Sequence, residues 1–79
     1  METFDADAVK YINQLLAVSK GKPLDEIRSD YNDYASFEIF KSVNKTLQEV
    51  IAGTKEISDI RDAYYRPIIQ YVLNEIIKD

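Results

Sequence analysis

The chain has 79 residues, of which 46% are hydrophobic and 30% are charged, and its 14 acidic and 10 basic side chains leave a net charge of −4. The sequence contains no cysteine and no histidine, which excludes disulfides, thiolate metal sites and the most common general base. The acidic balance argues against binding nucleic acid, whose phosphates it would repel, and favours a protein partner with a basic surface.

The length fits one domain around one core, so residues 1–79 are predicted to form a single domain. No apolar run approaches the roughly 20 residues that cross a bilayer. Residues 1–5 are acidic where a secretory signal is basic and then apolar. We therefore expect a protein without a membrane span that resides in the cytoplasm.

The first predicted helix covers residues 5–20. Its apolar residues recur at helical spacing on one broad face: Ala8, Val9, Tyr11, Ile12, Leu15 and Leu16. Thr3 or Asp5 is suited to cap the start of this helix, and Gly21 is suited to end it.

Residues 21–35 predict an irregular connection. Pro23 is able to open a short helical turn, and residues 29–33 favour caps and turns. We expect Leu24, Ile27 and one or both of Tyr31 and Tyr34 to attach this connection to the core. A continuous helix through the region is the alternative.

A second long helix is predicted over residues 36–52, with Ser36 as its N-cap and Gly53 as its stop. Its apolar stripe consists of Phe37, Phe40, Val43, Leu47, Val50 and Ile51. A short helix is predicted within residues 54–61, and Pro67 either kinks a longer last helix or starts a separate one.

No alternating strand pattern is present, so the predicted fold class is all-α, a small three- or four-helix bundle. The side chains that we expect to be largely buried are Ile12, Leu15, Leu16, Phe37, Phe40, Val43, Leu47, Ile60, Ile68, Ile69 and Val72.

Candidate catalytic groups are few. Asp30 and Asp33 are three residues apart, as are Asp59 and Asp62, and such pairs do acid–base work when burial separates their pKa values. A solvated acidic surface is the better explanation of both pairs. No segment has the spaced acids and glycine of a calcium loop. We therefore predict that the chain is not an enzyme and holds no metal.

Ser36 has a distinctive position in the predicted layout. It starts an amphipathic helix after a long, turn-rich connection, where the helix N-terminus would favour a phosphate ester. On local chemistry alone, an ordinary N-cap is the better explanation of this serine. The whole chain resembles the acyl and peptidyl carrier proteins, which are small acidic helical bundles with a modified serine at the start of the second helix. The family's Asp-Ser-Leu motif corresponds to Ala35-Ser36-Phe37, and residues 67–72 resemble the family's closing helix.

This resemblance implies an acyl-carrier-like fold and a function. A transferase would attach 4'-phosphopantetheine to the Ser36 hydroxyl, and the arm's thiol would hold an acyl or aminoacyl group as a thioester. The helix that starts at Ser36 would then dock the partner enzymes of an acyl or aminoacyl transfer pathway. The partner-binding residues that the resemblance implies are Phe37, Glu38, Lys41, Lys45 and Glu49.

A second hypothesis is a non-catalytic interaction protein, such as an inhibitor, immunity protein or antitoxin-like partner. Small acidic helical proteins block basic sites by charge complementarity. The segment Asp62-Ala63-Tyr64-Tyr65-Arg66-Pro67 resembles the tyrosine-rich recognition segment of nuclease-colicin immunity proteins.

Tyrosines such as Tyr11, Tyr64 and Tyr71 are more typical of the edge of a helical core than of a ligand-stacking site.

Overall fold

The computed structural model describes residues 4–77, which contain four α-helices and one short 3₁₀ turn. The helices are α1 (Ala6–Ser19), α2 (Leu24–Arg28), α3 (Tyr34–Ala52) and α4 (Tyr65–Ile77), and the 3₁₀ turn, Ile57–Asp59, lies between α3 and α4. Within these residues there is no β-strand. The prediction of an all-α fold, a small three- or four-helix bundle, is therefore confirmed, with four helices.

The ends of α1 and α3 follow from local chemistry. Asp5 caps α1, since its Oδ1 accepts a hydrogen bond of 2.8 Å from the Ala8 N–H. Gly53 ends α3 with a φ of +83°, a left-handed conformation that glycine adopts without a steric penalty. Thr3, the other predicted cap of α1, lies outside the described residues.

The connection between α1 and α3 is more regular than expected, because it contains the one-turn helix α2. Pro23 is the N-cap of α2 and not its first residue. Ile27 is buried and attaches the connection to the core. Leu24 and Tyr31 are partly buried and also pack against the core. Tyr34 belongs to α3 and is 58% exposed, so Tyr31 is the tyrosine that anchors this segment.

The described helices and the 3₁₀ turn region share one apolar core, in which α4 packs against both α1 and α3. Its buried members are Ala8, Ile12, Leu15, Ile27, Phe37, Phe40, Val43, Leu47, Ile60, Ile68, Ile69, Val72 and Leu73. Every residue predicted to be buried is among them except Leu16, which is only partly buried. The buried apolar residues of α1, Ala8, Ile12 and Leu15, form one stripe, and Leu16, about 100° around the helix from Leu15, lies at the edge of this stripe.

Two polar side chains enter this core, Gln14 and Asn44. The Tyr31 hydroxyl donates a hydrogen bond of 2.6 Å to Gln14 Oε1, which ties the connection to α1. Asn44 Oδ1 is buried and has no hydrogen-bond partner among the described residues.

None of the helices in residues 4–77 combines the length and apolar character that crossing a bilayer requires.

Candidate functional site

Ser36 is the third residue of α3 and is partly exposed. The prediction that it caps the helix is wrong, because Asp33 is the N-cap and has the extended backbone that such a residue needs. The Ser36 N–H donates to Asp33 Oδ1 at 2.7 Å, and the Ser36 hydroxyl donates to Asp33 Oδ2 at 3.0 Å. Ser36 therefore lies in the first turn of α3 with both of its donors directed to one carboxylate.

These hydrogen bonds stabilise the charged form of the Asp33 carboxyl. The Ser36 N–H, and next its hydroxyl, lower the pKa of the Asp33 carboxyl below its usual value. Asp33 is therefore ionised at neutral pH, and its negative charge lies at the positive end of the helix dipole. The anion-binding position at this helix N-terminus already holds the chain's own carboxylate.

Ser36 also lines a groove of about 400 Å³, which is formed by the first half of α1, the connection after α2 and the starts of α3 and α4. We call it the tyrosine groove, and its lining residues are Asp7, Lys10, Tyr11, Tyr31, Ser36, Tyr64 and Tyr65. The Tyr64 hydroxyl donates to Asp5 Oδ1 at 3.3 Å and thus links the start of α4 to the start of α1. Segments far apart in the sequence meet here.

The rings of the tyrosine groove rest on the core and on each other. Tyr11 and Tyr31 pack against the fully buried Phe40, with ring centroids 6.0 and 5.9 Å away. Tyr65 contacts Tyr11 edge to face at 5.5 Å and Tyr64 edge to face at 5.1 Å. Aromatic pairs prefer this geometry, so the groove has a floor of packed aromatic rings.

The hydroxyls of Tyr11, Tyr31 and Tyr64 stay protonated at physiological pH. Burial, followed by the charge of Asp30, raises the pKa of Tyr31 to about 12. Burial likewise raises the pKa of Tyr11 and of Tyr64, and the Asp5 carboxylate raises that of Tyr64 further. Neutral tyrosines act as hydrogen-bond donors and acceptors, so the groove combines apolar faces with polar edges.

Carboxylates outnumber cations around the groove. The carboxylates that line it or belong to residues contacting its lining are Asp5, Asp7, Asp30, Asp33 and Asp62. The corresponding cations are Lys10 and Arg28. Asp62 accepts from the backbone N–H groups of Tyr64 and Tyr65 at 2.8 and 3.2 Å and so caps the start of α4. The surface around the groove is therefore acidic.

The predicted partner-binding residues of α3 have different surroundings. Phe37 is 6% exposed and belongs to the core, so the prediction that it contacts a partner needs correction. Glu38 and Lys41 pair with each other at 2.8 Å, and Glu49 pairs with Lys55 at 3.5 Å. Lys45 is exposed. Acids and bases balance along this face, so it offers little charge complementarity to a basic or an acidic partner.

A second, apolar groove of about 270 Å³ lies between α3, the segment after the 3₁₀ turn and α4. Its lining residues are Ile39, Ser42, Val43, Thr46, Ile60, Asp62, Tyr65 and Ile69. Ile39 is 48% exposed at its edge, one turn after Ser36. Within residues 4–77, no group of three or more acidic side chains is arranged to hold a metal ion.

Sequence reasoning identified Ser36 but not the surface around it. The cap was detectable, since Asp33 precedes Ser36 by three residues and aspartate is a preferred N-cap. The grouping of Tyr11 and Tyr31 with Tyr64 had no local signal. No family model, curated protein or solved structure significantly matches the chain.

Proposed function

We propose that this protein is a non-catalytic interaction protein that binds a basic surface of a partner protein through the tyrosine groove. The observation that carries the proposal is the meeting of four tyrosine rings with surrounding carboxylates in one groove. Tyrosine is enriched at protein interfaces because its ring supplies a large contact area at a low cost in conformational entropy. The carboxylates add selectivity for a basic partner.

The charge of the whole chain supports the same function. Its net charge of −4 attracts a basic partner before contact, and the groove then supplies short-range packing. An inhibitory, immunity or antitoxin-like role follows if the basic surface of the partner is its active site. We also propose a cytoplasmic location, with which a chain free of cysteine is compatible.

Site-specific crosslinking in the producing cell tests this proposal. A photoreactive amino acid replaces either Tyr64 or Tyr71, which are similarly exposed at 41% and 42%. Tyr64, just before α4, lines the groove, whereas Tyr71, within α4, does not. We expect a basic protein to crosslink at position 64 and not at position 71. Calorimetry with that purified partner should show binding weakened about tenfold or more by Tyr64→Ala, as for a hot-spot residue, and within about twofold by Tyr71→Ala.

Two results would reject the interaction function. One is the same set of crosslinked proteins at both positions, which would mean that the groove is not a selective surface. The other is an acidic partner, or a binding constant that does not fall as salt rises, because charge attraction between exposed groups is screened within about 10 Å at 0.1 M salt.

A carrier function is the second candidate. It is favoured by one observation: the partly exposed Ser36 hydroxyl lies in the first turn of α3, one turn before the apolar groove begins at Ile39. In this proposal Ser36 carries 4'-phosphopantetheine and the chain presents an acyl or aminoacyl thioester to partner enzymes of a transfer pathway, which supply the chemistry.

The groups around Ser36 fit a phosphodiester poorly. The Asp33 carboxylate is 3.0 Å from Ser36 Oγ, and it also occupies the Ser36 backbone N–H. A phosphate on Oγ would meet a like charge and would find this helix-terminal donor already engaged. For this reason the carrier function ranks second.

Intact-mass measurement separates the two candidates. A carrier should gain the phosphopantetheine mass when co-expressed with a promiscuous phosphopantetheinyl transferase. Ser36→Ala should abolish this gain, while Ser42→Ala, which changes another serine of α3, should retain it. Asp33→Asn keeps a capping side chain and removes the opposing charge, and should increase the modified fraction. If both the wild type and Asp33→Asn stay unmodified under conditions that modify a known carrier, the carrier function is rejected.

A further inference from the structure

The tyrosine groove already holds a positive charge of the chain itself. Lys10 Nζ lies 5.1 Å from the centroid of the Tyr31 ring, within the range of a cation–π contact. Its hydrogen bond to the Asp30 carbonyl is long, at 3.3 Å, and it forms no ion pair with the carboxylates of residues 4–77. Lys10 is exposed, so a cation is bound on this aromatic face but only weakly held.

The neighbouring side of the same aromatic cluster already binds a guanidinium group. Arg28 stacks over the rings of Tyr34 and Phe37 at 5.8 and 5.7 Å, and its Nη1 donates to the Tyr31 carbonyl at 3.2 Å. A planar guanidinium combines stacking on rings with several directed hydrogen bonds, which an ammonium group does less well. Lys41 Nζ lies over the same two rings at 5.9 and 5.5 Å, so the rings accept either cation. The guanidinium of Arg28 adds the directed hydrogen bond to the Tyr31 carbonyl, and this combination favours arginine.

The tyrosine groove supplies what a second guanidinium would need. The Tyr31 ring offers a face, and the Asp7 carboxylate and the Ser36 hydroxyl line the same groove as hydrogen-bond acceptors. Asp7 is exposed and is therefore accessible to a partner. The volume of about 400 Å³ exceeds what one side chain requires and leaves room for its flanking backbone.

We infer that the tyrosine groove receives an arginine side chain of the partner, which replaces Lys10 on the ring of Tyr31. This inference rests on the proposed interaction function and specifies the group that is recognised. Lys10 and the incoming guanidinium compete for one aromatic face and repel each other. Lys10 therefore weakens binding, and its removal should strengthen it.

A titration with short peptides, followed by NMR, tests the inference without the partner. The probe is N-acetyl-Gly-Arg-Gly amide, compared with the same peptide containing lysine or the uncharged isostere citrulline. We expect the arginine peptide to shift the signals of groove residues and to bind at least threefold more tightly than the lysine peptide. The citrulline peptide should give no groove response, because it lacks the charge.

Matched variants separate contact at the groove from the effect of overall charge. Lys10→Gln should tighten binding of the arginine peptide about threefold to fivefold, the size of an exposed cation–π contact. Lys20→Gln changes the net charge by the same amount, but Lys20 is the C-cap of α1 and does not line the groove. This variant should bind the arginine peptide within about twofold of the wild type. Asp7→Asn should weaken binding more than Asp25→Asn, which alters an exposed carboxylate of α2 that does not line the groove.

The outcomes distinguish this inference from the proposed function. Equal binding of the arginine and lysine peptides, no tightening by Lys10→Gln, or no groove response each overturns the inference. If a basic partner crosslinks at position 64 while the arginine peptide leaves the groove unshifted, only the inference fails. If the arginine peptide binds as described but no basic partner crosslinks, the proposed function fails.

Discussion

Replacing Leu47 by alanine tests the packing on which the whole surface depends. Leu47 is 0% exposed on α3, and leucine and alanine have similar helix propensities, so the loss reports core packing. Emptying such a site costs about 3–5 kcal/mol, which combines the lost transfer free energy with a residual cavity. A chain of 79 residues has a free energy of unfolding of about 4–12 kcal/mol at the usual stability per residue. Leu47→Ala should therefore remove a quarter or more of the stability.

The assay is urea unfolding followed by far-ultraviolet circular dichroism, with Ile39→Ala as the matched control. Ile39 is on the same helix and has the same number of side-chain carbons, but it is 48% exposed, so its loss should be about 1 kcal/mol or less. The thermal midpoint of Leu47→Ala should fall by roughly 12 °C or more, at about 4 °C for each kcal/mol. A loss below about 0.5 kcal/mol for Leu47→Ala, or one no larger than that of Ile39→Ala, would refute the burial of this stripe.

Four further substitutions or conditions test individual features. Asp33→Ala should lower the free energy of unfolding by about 0.5–2 kcal/mol, because it removes the N-cap of α3. Asp33→Asn should retain most of the stability, since asparagine is also a preferred N-cap. Equal losses for the two variants in urea unfolding would contradict the capping role of Asp33. Gly53→Ala should cost about 1 kcal/mol through its φ of +83° alone, since no atom lies within 4 Å of the added Cβ, and Gly53→Asn should cost less in the same assay. The pKa of Tyr31 is raised to about 12 in the folded state, whereas it is near 10 in the unfolded state. The neutral hydroxyl of Tyr31 therefore stabilises the fold below pH 10, and this stabilisation is lost between pH 10 and about 12. Tyr31→Phe should flatten the fall in unfolding midpoint over that range, and an unchanged slope would contradict the assignment. Asn44→Leu should raise stability by about 1 kcal/mol, because the buried Oδ1 has no partner among the described residues, and a measured loss would reveal one.

The apolar pattern of the sequence predicted the three long helices and nearly all of the core. The apolar period of 3.6 residues located α1, α3 and α4, and Gly53 marked the end of α3. These features are local, because a helix needs only an apolar face and suitable ends to be recognised. Of the residues predicted to be largely buried, only Leu16 is partly buried.

The apolar pattern did not predict the start of α3 or the position of Phe37. Asp33 and Ser36 are both good N-caps three residues apart, and the earlier start allows Asp33 to bind two donors of Ser36. Phe37 was assigned both to the core stripe and to a docking surface, and packing placed its ring in the core. Local preference left these choices open because both outcomes satisfy it.

The tyrosine groove was decided by tertiary structure alone. Its residues come from α1, the connection after α2, and the starts of α3 and α4, so no periodicity or motif links Tyr11 and Tyr31 to Tyr64. Packing of α4 against α1 and α3 brings these segments together and supports their rings on Phe40. A sequence pattern records which residues share one helix face, whereas the meeting of faces from different helices depends on how the core packs.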